Sequence, residues 1–569
     1  MNGDTGQDLT QVTSRNYYHQ KPRFLVQTVP VADVGPRRKA PFYFFFDHFD
    51  TGTGVLGWLL LNAVLAQVAV RNPILASLHG WLTVGVCMFL VLNSKRLIIA
   101  MSALCYASMN DTFWRMTHAG VPWETSKYLV IAMSVVILVR WIGRPQSGFC
   151  TAIMILLVPG ALLGMQVLGV STFKQTTSFV LMGMYVLAVG TMITRRLRVT
   201  WTEVKGLLWS MIGPVTAVAS IAASSVAKLS LNSFNSIQSN NAAAGNFGAN
   251  QVGAALGLGA LFAFFIALQD NDWAIRILCF GLVTWFLAQS AITLSRGGLA
   301  AVALGIALAT PHLVLHDRLG LRFLIAITAV ILMAGLFLLP QLDTFSGGAV
   351  NKRFHDTNST ERGQLAAIDM ELFWHHPIFG VGVGVSDQYH RTDISAFALA
   401  SHTEFSRLLA EHGILGLAVI ICLLGLFAEA YKRQKNWFGR AFTIGLVGWV
   451  VMDLTVASTR NAMNTFVFAL AMLAIDERVD TTIPDIDTEV FGKRNEHGEL
   501  ELLDPELADD LDDQIGHESA DATARQELAD RQATSKRLRR TYRSRLHPNI
   551  GSPISFDFDD RDSPPPGET

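Results

Sequence analysis

The chain has 569 residues, half of them hydrophobic and only 16% charged, with a formal net charge of −1. Soluble chains carry about a quarter charged residues, so a string of soluble domains is excluded. The balanced charge gives no field to gather nucleic acid, and no zinc-finger or Walker spacing occurs, so no nucleic-acid partner is expected.

Residues 1–53 lack the charged, apolar and small-residue regions of a signal peptide, and the first span is expected to act as the signal. Within them Pro41-Phe-Tyr-Phe-Phe-Phe-Asp-His-Phe49 reads as an aromatic segment at headgroup level. Apolar runs long enough to cross about 30 Å of hydrocarbon as helix then follow one another through residue 475. They predict an all-α polytopic membrane protein with about 12–14 transmembrane helices. The expected spans are 54–71, 74–93, 97–109, 126–142, 148–170, 176–194, 206–227, 251–268, 273–293, 297–315, 322–340, 413–430, 441–457 and 461–475. The third is the shortest candidate and also reads as a re-entrant piece. All five cysteines fall in or beside spans, which leaves no exported disulfide framework.

Threading fourteen spans alternately puts Arg37-Arg38-Lys39, Lys95-Arg96, Arg140, Arg144, Arg195-Arg196, Arg198, Arg318, Arg322, Lys432, Arg433, Lys435 and Arg440 on one side. The positive-inside rule makes that side cytoplasmic, with both termini in the cytoplasm. Loops 110–125, 228–250, 294–296, 341–412 and 458–460 then face outward. Residues 476–569 hold about half of the 46 acidic residues, a basic cluster at Lys536–Arg540 and a Pro-rich end. That composition predicts a mostly disordered cytoplasmic tail.

Ion-coupled transporters keep ionisable groups near the bilayer midplane. Here Asp453 is the one acid well inside an expected span, so a transporter of lipid-linked oligosaccharide is the lesser alternative. Polar chemistry gathers on the outward side instead. Asn246-Phe-Gly-Ala-Asn250-Gln251 reads as a helix entry whose asparagines cap free N–H groups, or as an anion site at a helix N-terminus. Arg296 sits in a minimal outward turn, where it either snorkels to headgroups or binds a lipid-linked phosphate. The 72-residue excursion 341–412 is too long for a passive connection and carries its own helical patterns, one over 361–374 and one over 401–412. Glu404, Arg407 and Glu411 are spaced as a surface salt-bridge row. His375, His376 and Asp369 could suggest a metal site but lack a third ligand at convincing spacing, and no metal or cofactor is expected.

Four stretches together resemble the O-antigen ligase and O-antigen polymerase superfamily of bacterial membrane glycosyltransferases. They are Ser295-Arg296-Gly297-Gly298 opening a span; Glu361-Arg362 leading a helix to His376-Pro377 and Gly380-Val-Gly382-Val-Gly384; His402-Thr-Glu404 through Glu411-His412-Gly413; and the Asn-containing entry at 246–251. They stand in the family's order over about residues 200–475. The resemblance implies metal-independent, inverting transfer of a glycan from an undecaprenyl diphosphate carrier to an acceptor hydroxyl at the periplasmic face of the inner membrane. The acceptor would be another glycan, lipid A-core or a protein, and a polymerase of O-antigen or exopolysaccharide remains the alternative.

Arg296 and Arg362 match the family's phosphate-binding arginines, and His402 matches its loop histidine. A sugar diphosphate already has a good leaving group, so what must be supplied is positive charge. An imidazole is suited to take the acceptor's proton near neutral pH. His375, His376 and His412 are rivals for that role. Glu404, Glu411 and Asn250 are expected to support these three residues. The extended N-terminus and the acidic tail are not required by the resemblance.

Overall fold

A computed structural model describes residues 52–143, 148–179, 181–230, 234, 239–315, 320–355, 362–393, 403–455 and 459–476. The N-terminal aromatic stretch and the acidic tail therefore lie outside the described residues. So do Glu361 and His402.

The chain is all-α and polytopic, as expected. It begins with α1 (Gly52–Ala69), α2 (Pro73–Asn93), α3 (Leu97–Met116) and α4 (Thr125–Ile137), the last running on through a π turn to Ile142. Asn72 caps α2 by accepting from the N–H groups of Ile74 and Leu75, and Pro73 occupies the first turn, where no donor is needed. Then follow α5 (Gly148–Leu156), α6 (Val158–Leu168), α7 (Val170–Phe179) and α8 (Leu181–Thr194). Thr200 and Glu203 close a capping box on α9 (Trp201–Val226). The helices α10 (Ala249–Gln269), α11 (Trp273–Ile292), α12 (Arg296–Val314) and α13 (Gly320–Leu332) complete this half of the bundle.

The long excursion carries α14 (Leu339–Phe345), α15 (Ala349–His355), α16 (Arg362–His375), α17 (Ser386–Asp393) and α18 (Glu404–His412). After it come α19 (Ile414–Arg433), α20 (Trp437–Asp453) and α21 (Ala462–Ala471). Among the described residues, ten helical stretches are long and apolar enough to cross a membrane. This is fewer than the fourteen expected: the stretches at 97–109, 176–194, 441–457 and 461–475 are not among them, the second and third because their helices, α8 and α20, have only 14 and 17 residues.

The stretch expected at 97–109 continues to Met116, and this 20-residue helix is buried along nearly its whole length. Its polar last turns, with Asp111 and Arg115, lower its hydropathy but are satisfied inside the protein. The stretch expected at 461–475 becomes a ten-residue helix, α21, followed by the strand Ala474–Ile475. At 1.5 Å per residue α21 covers about half of a hydrocarbon core. Every one of its residues is buried, so it meets protein rather than lipid. The strand pairs in parallel with Arg198–Val199, and tucks the chain beneath α8 and α9.

The centre of the bundle is α10, surrounded by α9, α11 and α12. Small residues set the close approaches. A Cβ on Gly298 would stand 2.2 Å from the Gly253 carbonyl oxygen, and one on Gly305 would stand 2.7 Å from that of Gly445. These contacts press α12 between α10 and α20. All five cysteines are buried and free.

Candidate active site at the loop end of the bundle

The turn that carries Arg296 is built from three directions. Leu294 adopts a left-handed backbone (φ 55°), a conformation that costs a non-glycine residue and persists only where its surroundings hold it. The Thr293 carbonyl accepts from the Asn240 N–H at 2.7 Å. Ser295 Oγ donates to Asn250 Oδ1 at 2.9 Å. Leu294 is buried against Ala349 and Val350 of α15, and Arg353 Nε of the same helix donates to the Leu294 carbonyl at 3.3 Å. Asn250 thus does not cap its own helix. It locks the turn whose next residue is Arg296, at the first position of α12.

Three guanidinium groups lie near enough here for their charges to act on one another. The pKa of Arg362, at the start of α16, is pushed below the usual arginine value, first by burial and then by the positive charges of Arg296 and Arg353. The structure therefore brings together the two arginines expected from sequence and adds a third, which sequence reading missed. Arg353 belongs to a seven-residue helix with no motif around it. Its role shows only when that helix folds onto the 293–296 turn.

The second group of residues is centred on α18, whose first residue, Glu404, stands two positions after residue 402. The expected surface salt-bridge row is instead buried: Glu404 is 1% exposed, Arg407 4% and Glu411 1%. The spacing was right, but the other side of the row is occupied by protein. Arg407 pairs with Glu404 and donates to Thr459 Oγ1 at 2.8 Å. Glu404 Oε1 accepts from the Thr459 N–H and hydroxyl, both at 3.0 Å, and its backbone N–H donates to the Leu454 carbonyl. Leu454 and Thr459 are thereby both tied to α18. Burial opposes the charge of Arg407, yet the carboxylates of Glu404, Glu411, Asp387 and Asp369 together lift its pKa.

Glu411 Oε1 accepts from the Gly384 N–H at 2.8 Å and from Ser386 Oγ at 3.0 Å. Burial raises its pKa to about 8, against the lowering effect of Arg407. The Gly-rich turn 380–384 owes its glycines to crowding. Gly380, Gly382 and Gly384 all have positive φ, and the backbone of Gly382 touches Gly164 of α6 so closely that a Cβ would lie 2.5 Å from the Gly164 nitrogen. Val383 N–H donates to the Gly160 carbonyl at 2.9 Å, which docks the excursion on the α6 segment of the bundle.

The rival histidines differ in setting. His375 is exposed, with Nδ1 2.9 Å from the Glu371 carbonyl, and His376 is exposed beside it. His412 is buried against α6, and burial, then Arg407, lowers its pKa to about 3. Asp369 does not face His375 or His376. It meets His390 and Ser406. Among the described residues, no group of three His, Cys, Asp or Glu side chains could hold a metal ion.

A third, unexpected cluster adjoins these two. Arg115 is paired with Asp111 at 2.9 Å, and it donates to Asn461 Oδ1 at 2.9 Å and to the Arg460 carbonyl at 3.1 Å. Arg460 in turn has its pKa lowered, first by burial and then by the charge of Arg407. Sequence reading placed residues 110–125 in a loop and so gave their charges no partner.

The folded excursion gathers arginines, carboxylates and histidines on a polytopic helical bundle. Residues 281–421 match the family model of the O-antigen ligases, a match that supports the likeness to the O-antigen ligase and polymerase superfamily. The matched segment includes Arg296, Arg353, Arg362 and all of α18. No curated protein matches the chain. It is an O-antigen ligase-like or polymerase-type membrane enzyme.

Proposed function

We propose that this enzyme moves a glycan from an undecaprenyl diphosphate carrier to an acceptor hydroxyl, with inversion at the anomeric carbon, at the periplasmic face of a bacterial inner membrane. The observation that carries this reading is the convergence of Arg296, Arg353 and Arg362 beside the 293–296 turn. Like charges gathered in partial burial repel, and a doubly charged diphosphate offsets that cost. Each charge-assisted contact to phosphate contributes about 1.5–3 kcal/mol. Guanidinium groups would stabilise the negative charge that grows on the leaving diphosphate as the glycosidic bond breaks.

His402, one residue before the capping Thr403 of α18, would accept the proton of the attacking hydroxyl. Glu404 and Glu411 would hold α18 and its neighbours in place, and Asn250 would hold the turn of Arg296. The acceptor, whether lipid A-core, a protein or a growing glycan, decides between ligase and polymerase. The polar groups gather at the loop end rather than along the bundle axis, which favours an enzyme over an exporter of lipid-linked sugar.

The test is transfer by purified protein in lipid nanodiscs supplied with undecaprenyl diphosphate-linked glycan and each acceptor class. Arg296→Lys and Arg362→Ala should raise the donor KM and depress turnover, since an ammonium cannot fork onto phosphate. His402→Ala should leave a folded protein that binds donor but does not transfer. Full transfer by the His402 variant, or donor binding indifferent to both arginine variants, overturns the reading.

A further inference from the structure

Trp123 stands on the connection between α3 and α4, with 54% of its surface exposed. The Arg115 guanidinium lies 4.7 Å from its ring centroid, a cation-to-ring contact that occupies one face. The exposure therefore comes from the other face and the edges. Arg115 is itself fixed by Asp111, Asn461 and the Arg460 carbonyl, and it also donates to the Trp123 carbonyl at 3.3 Å. The indole is thus held rigidly from behind. Phe247 meets it from the side, with centroids 6.2 Å apart and the rings tilted by 53°.

The two rings form an apolar corner joined to both halves of the site. On the Phe247 side, Asn250 lies about one helical turn along the chain and bonds to Ser295, the neighbour of Arg296. On the Arg115 side, Arg460 and Thr459 lead to Glu404 and the start of α18. Asn246, exposed beside Phe247, presents an amide that can both donate and accept.

We propose that Trp123 and Phe247 form a stacking platform for a pyranose ring of the donor glycan, next to the diphosphate site. This rests on the donor assignment made under the proposed function. The axial C–H groups on one face of a pyranose carry partial positive charge and lie against the electron-rich face of an indole. The ring hydroxyls at its rim need polar partners, and exposed Asn246, next to Phe247 in the chain, carries an amide that could serve as one. An aromatic anchored only in lipid would not require a buried guanidinium, held by three other residues, at its back.

The test uses full-length protein in nanodiscs and two probes: bare undecaprenyl diphosphate, and undecaprenyl diphosphate carrying the oligosaccharide extracted from source cells that lack this protein. Trp123→Ala should weaken binding of the glycan-linked probe about tenfold, the size of a lost ring contact of about 1.4 kcal/mol, and leave the bare probe unchanged. Trp123→Phe should restore most of the loss, and both variants keep the backbone carbonyl that Arg115 holds. In transfer assays the effect should fall on the donor KM more than on kcat. Unchanged binding of the glycan-linked probe by Trp123→Ala, with bare-probe binding still dependent on Arg296 and Arg362, overturns the platform alone. Equal weakening of both probes makes Trp123 a support of the phosphate site and also overturns it. If neither probe depends on the arginines, the platform falls together with the donor assignment.

Discussion

The carboxylate of Asp369, midway along α16, accepts a 2.6 Å hydrogen bond from Ser406 Oγ of α18. Its other oxygen lies 3.0 Å from His390 Nε2 of α17. Asp369 and His390 are wholly buried. One acid therefore ties together three helices of the excursion. Helix α16 opens with Arg362, and α18 begins two positions after residue 402. Under the proposed function, this link would help set the spacing between Arg362 and the residues that open α18.

Asp369→Ala should loosen that spacing. It leaves His390 and Ser406 buried without their shared acceptor, at a cost of about 1–3 kcal/mol each. Hydrogen exchange across residues 362–412 should speed up, and turnover should fall while donor affinity changes little. Asp369→Asn, which keeps an acceptor for Ser406, should recover part of the rate. Wild-type exchange and turnover in Asp369→Ala would contradict the positioning role.

Arg353 joins the same centre from α15. Arg353→Ala should raise the donor KM by about ten- to a hundredfold, the loss of one charge-assisted contact. Arg353→Lys keeps a cation but loses the Nε bond to the Leu294 carbonyl, so it should recover only part of the affinity. Donor titrations of the three proteins in nanodiscs test this directly. An unchanged KM in the alanine variant would remove Arg353 from the phosphate site.

Much of this was legible in the sequence, and the rest was hidden for identifiable reasons. Runs of apolar residues report helices that face lipid, so most long spans were visible. They failed at α21, where a short helix buried on all sides reads like the end of a span, and at α3, where internal ion pairs mask the helix's length. Arg296 and Arg362 stand in local motifs, so the sequence alone offers them as candidates. Arg353, Asp369, His390, Arg115 and Trp123 act through partners that are distant in the chain, so no window of sequence contains the signal. The charge row on α18 had the right spacing, but spacing cannot reveal that protein rather than water covers it.

Glu411 gives the excursion a pH dependence with a definite sign. Burial raises its pKa from the ordinary 4.5 to about 8. The folded form thus holds a proton that the unfolded chain releases. This contribution to stability is complete below about pH 4.5 and fades as pH rises through about 8. The thermal midpoint of the purified protein should fall across that interval. Glu411→Gln keeps an acceptor for Gly384 and Ser386 and carries no titrating group, so its midpoint should be near wild type at neutral pH and should vary less with pH. A wild-type profile that rises over the same interval would contradict the neutral state of Glu411.

Gly298 offers a test of how the bundle aims Arg296. It lies two residues into α12 from that arginine, and its backbone rests on Gly253 of α10. An added Cβ would stand 2.2 Å from the Gly253 carbonyl oxygen and 2.4 Å from its carbon. Both are backbone atoms in a buried helix, so the strain cannot be relieved by turning a side chain. Gly257 packs on the Gly298 carbonyl in the same way, which blocks a slide along the helix axis. Gly298→Ala should therefore push the first turn of α12 outward, at a cost of about 1–3 kcal/mol. The turn it displaces contains Ser295, whose bond to Asn250 is only 2.9 Å long and would be stretched. The variant should insert and purify with a lowered thermal midpoint, and its donor KM should rise although no phosphate-binding group has been altered. Gly281→Ala in α11 is the control: no atom lies within 4 Å of its added Cβ, so stability and KM should both stay at wild-type values. A Gly298→Ala variant with lowered stability but wild-type donor KM would show that α12 is held by its packing without that packing setting the position of Arg296.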